Sequence, residues 1–150
     1  MDRAALDVAL ELGIPCGGWC PKGRKAEDGA LPLRYPMRET PDEDYAQRTE
    51  WNVRDSDGTL VLNRGLLDGG TALTVELAQQ HRKPCLVMDL ERTPDAAVVR
   101  AWLGRRKIRT LNVAGPRESK NPGVYRGTAA FLRHVLTPPP HAPVAETSRP

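Results

Sequence analysis

The chain has 150 residues, the size of one domain with one core, because folding at that length buries roughly 70% of the surface the unfolded chain exposes. No apolar run approaches the roughly 20 residues of a bilayer-spanning helix, and the acidic amino terminus MDRAALDVALELG is unlike a signal peptide, so the expected location is cytoplasmic. Lys and Arg outnumber Asp and Glu by 22 to 19, a net +3 that favours a small anionic ligand over nucleic acid as partner.

Leu6, Val8, Ala9, Leu10 and Leu12 recur among charges at helical spacing, which predicts a helix over Asp2–Leu12 closed by Gly13. A short extended run follows over Ile14–Trp19, and Cys20–Arg34, rich in Gly, Lys, Arg, Asp and Pro, reads as an exposed loop. Thr40-Pro41-Asp42-Glu43 has the form of a capping box and predicts a helix running to about Arg54. From Gly58 onward strands and helices alternate. Strands are predicted over Thr59–Leu62, Pro84–Met88 and Ile108–Ala114, and helices over Thr71–Gln80, from the Thr93-Pro94-Asp95 cap to about Arg105, and over Val124–Leu136. Uninterrupted apolar strands alternating with helices mean a parallel sheet covered on both faces. The fold class is therefore α/β, a Rossmann-like doubly wound domain over residues 1–136, with a disordered proline-rich tail over 137–150.

In such sheets ligands bind beyond the carboxyl ends of the strands, and two loops there carry chemistry. The first runs from Asn63 to Thr71, where Gly69 and Gly70 lead into a helix; glycines let a phosphate approach the backbone, and the helix amino terminus attracts the anion. A tight loop capped by Thr71 is the plain alternative. The second is Gly115-Pro116-Arg117-Glu118-Ser119-Lys120, in which Arg117 can fork onto a phosphate while Ser119 and Lys120 add a hydroxyl and a charge; an ordinary basic surface loop is its alternative. Asp55 and Asp57 could accept from a ribose or base, but Asp-Ser-Asp-Gly reads first as turn chemistry, and Arg38 with Glu39 reads as a solvated pair ahead of a site wall. Cys16, Cys20 and Cys85 form neither an even disulfide set nor a paired CxxC pattern, and His81, His134 and His141 stand singly, so reduced thiols and no protein metal site are expected. Trp19, Trp51 and Trp102 read as packing residues.

Five motifs in order, DRAALD (Asp2–Asp7), GIPCGGWCPKGRKAEDG (Gly13–Gly29), NVRDSDGTL (Asn52–Leu60), GGTALT (Gly69–Thr74) and NVAGPRES (Asn112–Ser119), together resemble the "putative molybdenum carrier" family, a circularly permuted YpsA branch of the SLOG superfamily of Rossmann-like nucleotide-binding proteins. The resemblance implies a pocket related to those of the molybdenum-cofactor carrier and of the cytokinin-activating phosphoribohydrolases, with the molybdenum cofactor (molybdopterin) or another nucleotide derivative as ligand. Gly69, Gly70 and Glu76 keep the phosphoribohydrolase spacing, but Ala72 and Leu73 replace its second glycine and threonine, which counts against N-glycosidic hydrolysis. Family members also carry a strand and a GGQTG segment before the DRAALD helix, so the first strand of the sheet is expected to be missing from this chain.

Three functions follow as expectations. A binding or carrier protein would grip a phosphate-bearing ligand through Gly69, Gly70, Thr71, Gly115, Pro116, Arg117 and Ser119. A nucleotide-processing enzyme would use Glu76 or Asp57 as general base. A partner- or single-stranded-nucleic-acid-binding module is the third, and homo-oligomerisation is a further expectation, since related folds commonly pair.

Overall fold

The structure, a computed structural model, describes residues 2–27 and 29–137; beyond Thr137, the proline-rich tail lies outside the described residues. Helix α1 (Asp2–Leu12) ends where Gly13 takes a left-handed φ of 70°, which lets the Ile14 amide reach back to the Ala9 carbonyl at 2.8 Å. Next come β1 (Gly18–Cys20), a hairpin of β2 (Lys25–Ala26) and β3 (Gly29–Ala30), β4 (Met37–Glu39) and α2 (Tyr45–Arg54). The remainder alternates: β5 (Gly58–Asn63), α3 (Gly69–Gln80), β6 (Cys85–Asp89), a 3-10 turn at Leu90–Arg92, α4 (Ala96–Arg105), β7 (Leu111–Ala114) and α5 (Val124–Leu136). Among the described residues, no helix is long and apolar enough to cross a membrane.

Strand β5 lies at the centre of a parallel sheet ordered β6-β5-β7, and all six of its residues are buried. Register and the two-residue side-chain period divide its side chains between two layers. Leu60 and Leu62, with their neighbours Leu86, Met88 and Val113, face a core built from α1, α4 and α5. Thr59 faces the other way, level with Cys85, which packs against Val53 of α2 and Leu77 and Ala78 of α3. Helices therefore cover both faces, as the doubly wound class requires. The second layer is the more polar: Thr59, Asn63, Thr71 and Thr74 are buried there or at its edge.

The segment over Cys20–Arg34 is mostly exposed, as its composition predicts, yet it is not structureless, for it holds the β2-β3 hairpin. Arg24 organises it by donating from Nε to the Leu31 carbonyl, from Nη1 to Met37, and from Nη2 to Pro32 and Tyr35, at 2.7–3.1 Å. One guanidinium thus supplies partners to carbonyls that a polar loop would otherwise leave to water. Cys20 and Tyr35 are each only 1% exposed. The α2 cap also differs from expectation. Thr40 is drawn into β-type pairing, its amide donating to the Cys20 carbonyl, and its hydroxyl donates to the Asp42 carbonyl. Asp44 is the N-cap instead, accepting from the Ala46 amide at 3.0 Å.

The β1-β4 pair, also parallel, is fastened to α2. The Asn52 carboxamide accepts from the Trp19 amide (2.8 Å) and donates to the Trp19 carbonyl (3.1 Å), as a neighbouring strand would. Asp55 accepts from the Trp19 indole Nε1 (2.8 Å) and from Nε of Arg54 (2.8 Å). On the opposite side Asp7 of α1 accepts hydrogen bonds from the Tyr35 and Tyr125 hydroxyls, and the Asp7 bond, followed by burial, pushes the Tyr125 phenol up to about 12.

Two stability predictions follow from this packing. Leu60→Ala empties the junction of three helices and the sheet and costs about 2–5 kcal/mol in urea unfolding, whereas Leu66→Ala, at a side chain 92% exposed, stays within about 0.5 kcal/mol. Hydrogen bonds from Arg54 first, then Trp19, hold the Asp55 carboxyl at about 2. A carboxyl lowered by folding stabilises above its unfolded value, about 3.9, and that contribution is lost as pH falls through the folded value. Asp55→Asn therefore lowers the melting temperature at neutral pH, and the gap from the parent narrows as the pH is taken down toward that of the folded carboxyl. A gap unchanged across the acid range would refute the assignment.

Candidate functional site

Helix amino termini leave amides without intrahelical acceptors, and each must find one elsewhere. Asp44 serves α2, Asp95 serves α4 through the Ala97 amide (2.8 Å), and Asp89 serves the 3-10 turn through Glu91 (2.9 Å). At α5 the Glu118 carboxylate bridges the amides of Gly123 (2.7 Å) and Tyr125 (2.8 Å), and these bonds hold its carboxyl below the usual range. Helix α3 is different. Asp68 occupies its N-cap position with extended φ/ψ, yet its side chain makes no cap bond. Its carbonyl accepts from the Thr71 and Ala72 amides, leaving the amides of Gly69 and Gly70 with no protein acceptor among the described residues.

This end of α3 opens onto a cleft of about 230 Å³. Asp68, Gly69, Gly70, Thr71 and Thr74 form one wall. Residues 112–117 and Lys120, at and beyond the carboxyl end of β7, form the second. The third is one stripe of α2, Tyr45, Arg48, Thr49 and Asn52, at the i, i+3, i+4, i+7 spacing of a helix face. The two glycine turns thus share one hollow at the carboxyl edge of the sheet, since β5 pairs with β7 and delivers both loops to the same place. The Gly115 amide, like those of Gly69 and Gly70, donates to no protein group among the described residues.

Among the described residues charge in the cleft is lopsided, with Arg48, Arg117 and Lys120 against the single carboxylate of Asp68. Tyr45 gathers two of these cations, together with Lys25 from outside the cleft lining. The Arg117 guanidinium sits 4.7 Å from its ring centroid, and Arg48 and Lys25 each lie at 5.2 Å. Stacking uses the face of a guanidinium and leaves its in-plane N–H donors to meet an anion.

Of the sequence-predicted residues, Gly69, Gly70, Thr71, Gly115, Pro116 and Arg117 line this cleft, with Gly69 and Gly70 inside the first turn of α3 rather than in the loop before it. Ser119 does not line it; its amide donates to Glu27 at 3.2 Å. Asp57 lies at the amino end of β5, away from the cleft, where its Oδ2 accepts from the amides of Arg109 and Thr110 (3.0 and 2.9 Å) and its carboxyl is lowered by those bonds, Thr110 first. Glu76 is exposed on α3 and does not line the cleft, so neither fallback general base is placed beside the glycine turns. Arg38 stacks on Trp19 at 4.2 Å and Glu39 accepts from the Gly23 amide at 2.6 Å. The α2 stripe escaped sequence reasoning, although its polar spacing in Tyr45–Asn52 was visible; Asp68 and Asn112 carried no signal of their own. Among the described residues, no group of three or more His, Cys, Asp or Glu side chains converges to hold a metal ion.

The chain matches the family model described as the circularly permutated YpsA SLOG family over residues 1–136. It is also similar to the crystal structure, at 1.45 Å resolution, of a "Putative molybdenum carrier protein" from Syntrophus aciditrophicus SB, with 48% identity and a TM-score of 0.87 over 90% of this chain and 87% of that one. No curated protein matches it.

The capping pattern predicts an ordering of amide exchange. In the ligand-free protein the Gly70 amide exchanges faster than that of Tyr125, whose acceptor is Glu118. Residue-resolved hydrogen exchange by NMR checks this, and equal protection at the two positions would show that the α3 terminus is internally satisfied after all.

Proposed function

This chain belongs to the circularly permutated YpsA SLOG family, and from that premise we propose that it is a binding or carrier protein for a phosphate-bearing, nucleotide-like ligand held in the cleft between α3 and the β7-α5 loop. The observation that carries the reading is the uncapped amino terminus of α3 facing Arg117 and Lys120 across one hollow. Backbone amides and the helix dipole attract an anion at that end, and the two cations supply charge-assisted partners from the opposite wall. Carriage asks only for tight, reversible grip, and the cleft is built for grip: its donors are backbone groups and stacked guanidinium groups that need little reordering when the ligand arrives.

The similar crystal structure is named for a molybdenum cargo. In this chain such a cargo is held through anionic oxygens, those of a pterin phosphate in the molybdenum cofactor or of an oxyanion, because no cluster of metal-ligating side chains is present among the described residues. Gly69, Gly70 and Arg117 are the residues that meet those oxygens.

Calorimetric titration with AMP and with inorganic phosphate tests the reading. Arg117→Ala weakens AMP binding about tenfold or more, the equivalent of about 1.4 kcal/mol, and Asp68→Asn strengthens it by removing the one carboxylate that lines the cleft among the described residues. Gly70→Val provides a steric check. Gly70 has no left-handed φ, and a Cβ there meets no protein atom within 4 Å, so the fold tolerates the change while the branched side chain intrudes on the anion. Phosphate and AMP binding untouched by all three substitutions would overturn the proposal.

A further inference from the structure

Helices α1, α3 and α4 close with the same turn, and two of them fill it against backbone preference. At the end of α1 the Gly13 amide donates to the Leu10 carbonyl and the Ile14 amide to that of Ala9, with Gly13 left-handed at φ 70°. The end of α3 repeats the pattern from Arg82 to Gln79 and from Lys83 to Ala78, and the end of α4 from Lys107 to Gly104 and from Ile108 to Leu103. There the left-handed residue is Arg82 (φ 55°) or Lys107 (φ 54°). A side chain is strained in that conformation, and glycine relieves it. The helix dipole favours a cation within the last turn, and both residues lie beyond it. Neither cation offsets the strain through a cap, because among the described residues neither side chain makes a hydrogen bond or ion pair.

Both turns open onto the amino edge of the parallel sheet, opposite the cleft. Arg82 and Lys83 precede β6, while Arg105, Arg106, Lys107 and Arg109 precede β7. These strands flank β5 and begin level with its start, Cys85 opposite Thr59 and Leu111 opposite Gly58, so the two loops stand about 9–10 Å apart. The turn into β5 fixes both. Lys83 Nζ donates to the Ser56 carbonyl at 2.8 Å, the Asp57 amide donates to the Thr110 carbonyl at 2.8 Å, and Asp57 accepts from the Arg109 and Thr110 amides. Carboxylates of the adjoining turns are already occupied, Asp55 by Arg54 and Trp19, and Glu50 by His81 at 3.0 Å. Arg105 and Arg106, like Arg82 and Lys107, are exposed with no side-chain hydrogen bond or ion pair among the described residues. An ordered backbone therefore holds out cations that the fold itself does not use.

Charge complementarity calls for an anionic partner, and what the edge lacks narrows its class. None of the large apolar side chains left exposed lies in either loop. A protein interface is organised about a buried apolar centre, membrane adhesion about inserted apolar side chains, and single-strand binding about rings on which bases stack. Duplex RNA is recognised through its 2′-hydroxyls as well as its phosphates, whereas the backbone of duplex DNA is held by cations alone. We infer that the amino edge of the sheet is a sequence-independent docking surface for duplex DNA, with Arg82 and Lys107 on its two turns as paired phosphate contacts. The cleft lies at the other edge, so this surface stands or falls independently of what the cleft binds.

The test is fluorescence anisotropy of a short, labelled, mixed-sequence DNA duplex over a series of salt concentrations, with melting temperatures recorded alongside. The parent binds, and its affinity falls as salt rises. Arg82→Gly/Lys107→Gly removes two cations and the left-handed strain together, so stability and binding move apart. The double variant melts at or above the temperature of the parent, binds the duplex about tenfold more weakly or worse, and flattens the slope of log affinity against log salt by about 2. The exchange Arg82→Lys/Lys107→Arg conserves charge and retains both affinity and slope. Absence of binding by the parent at low salt overturns the inference, as does a glycine variant that binds as the parent does. A glycine variant that melts below the parent also overturns it, since the cations would then be serving the helix ends. Loss of duplex binding in Arg117→Ala equal to that in the glycine variant would move the DNA to the cleft. Polyglutamate, duplex RNA or phosphatidylserine vesicles bound as tightly as the DNA at equal salt would show a different partner class, and either result overturns the assignment.

Discussion

The structure depends on a single strand being paired on both edges and buried on both faces. Strand β5 hydrogen-bonds to β6 on one side and β7 on the other, and its Leu60 and Leu62 are fully buried among α1, α4 and α5. A strand in that position has no freedom of register, because a slip by one residue would exchange Leu60 and Leu62 with Thr59, Val61 and Asn63 and place threonine and asparagine in the larger core. The fixed register delivers the end of β5 and the end of β7 to the same level. The loops that leave them are therefore neighbours although more than forty residues separate Gly70 from Gly115 in the chain. The cleft is a consequence of strand order before it is a consequence of any side chain.

What the side chains add is a contrast between two helix ends on the same edge. Helix α5 carries its own counter-charge, since Glu118 reaches back over the Gly123 and Tyr125 amides and lies there as an external anion would. Helix α3 begins Asp68-Gly69-Gly70, and the aspartate that could have closed it leaves its carboxylate out of the cap. Capping in the usual manner contributes about 1 kcal/mol, and this terminus forgoes that stabilisation where three cations line the same hollow. Local stability yielding to a feature that draws anions is the pattern expected of a binding edge.

The alternating half was legible in the sequence because there local signals and tertiary demands agree. The apolar run Leu60–Leu62 and the amphipathic face of α5 each point to one structure, and α5 spans the residues its periodicity marks, Val124–Leu136. The first half was harder to read, for a physical reason. Its order comes from single polar side chains satisfying distant backbone groups: Arg24 on four carbonyls, Asn52 on both sides of the Trp19 peptide, Asp57 on the Arg109 and Thr110 amides. Such contacts leave no periodicity. The same applies to caps, where Thr40-Pro41-Asp42-Glu43 has the right composition but Thr40 is spent on β-pairing, and to the expected third strand, whose Ile108–Thr110 portion stays outside β7 with the Arg109 and Thr110 amides donating to Asp57.

Net charge illustrates how little a whole-chain figure says about a site. An excess of three positive charges over 150 residues is close to neutral, yet at the cleft three cations meet one carboxylate. Concentration of like charges carries a cost in repulsion, and Tyr45 reduces it by presenting its ring to Arg117, Arg48 and Lys25 together. The helix that supplies Tyr45 also supplies Asn52 and Asp55, which hold β1 through Trp19. Helix α2 thus fastens the outer strand pair and, through Tyr45, positions Arg48 and Arg117 at the cleft at once. Any anion that did bind in the cleft would stabilise the folded form as a whole, by an amount that grows with the logarithm of its concentration relative to Kd.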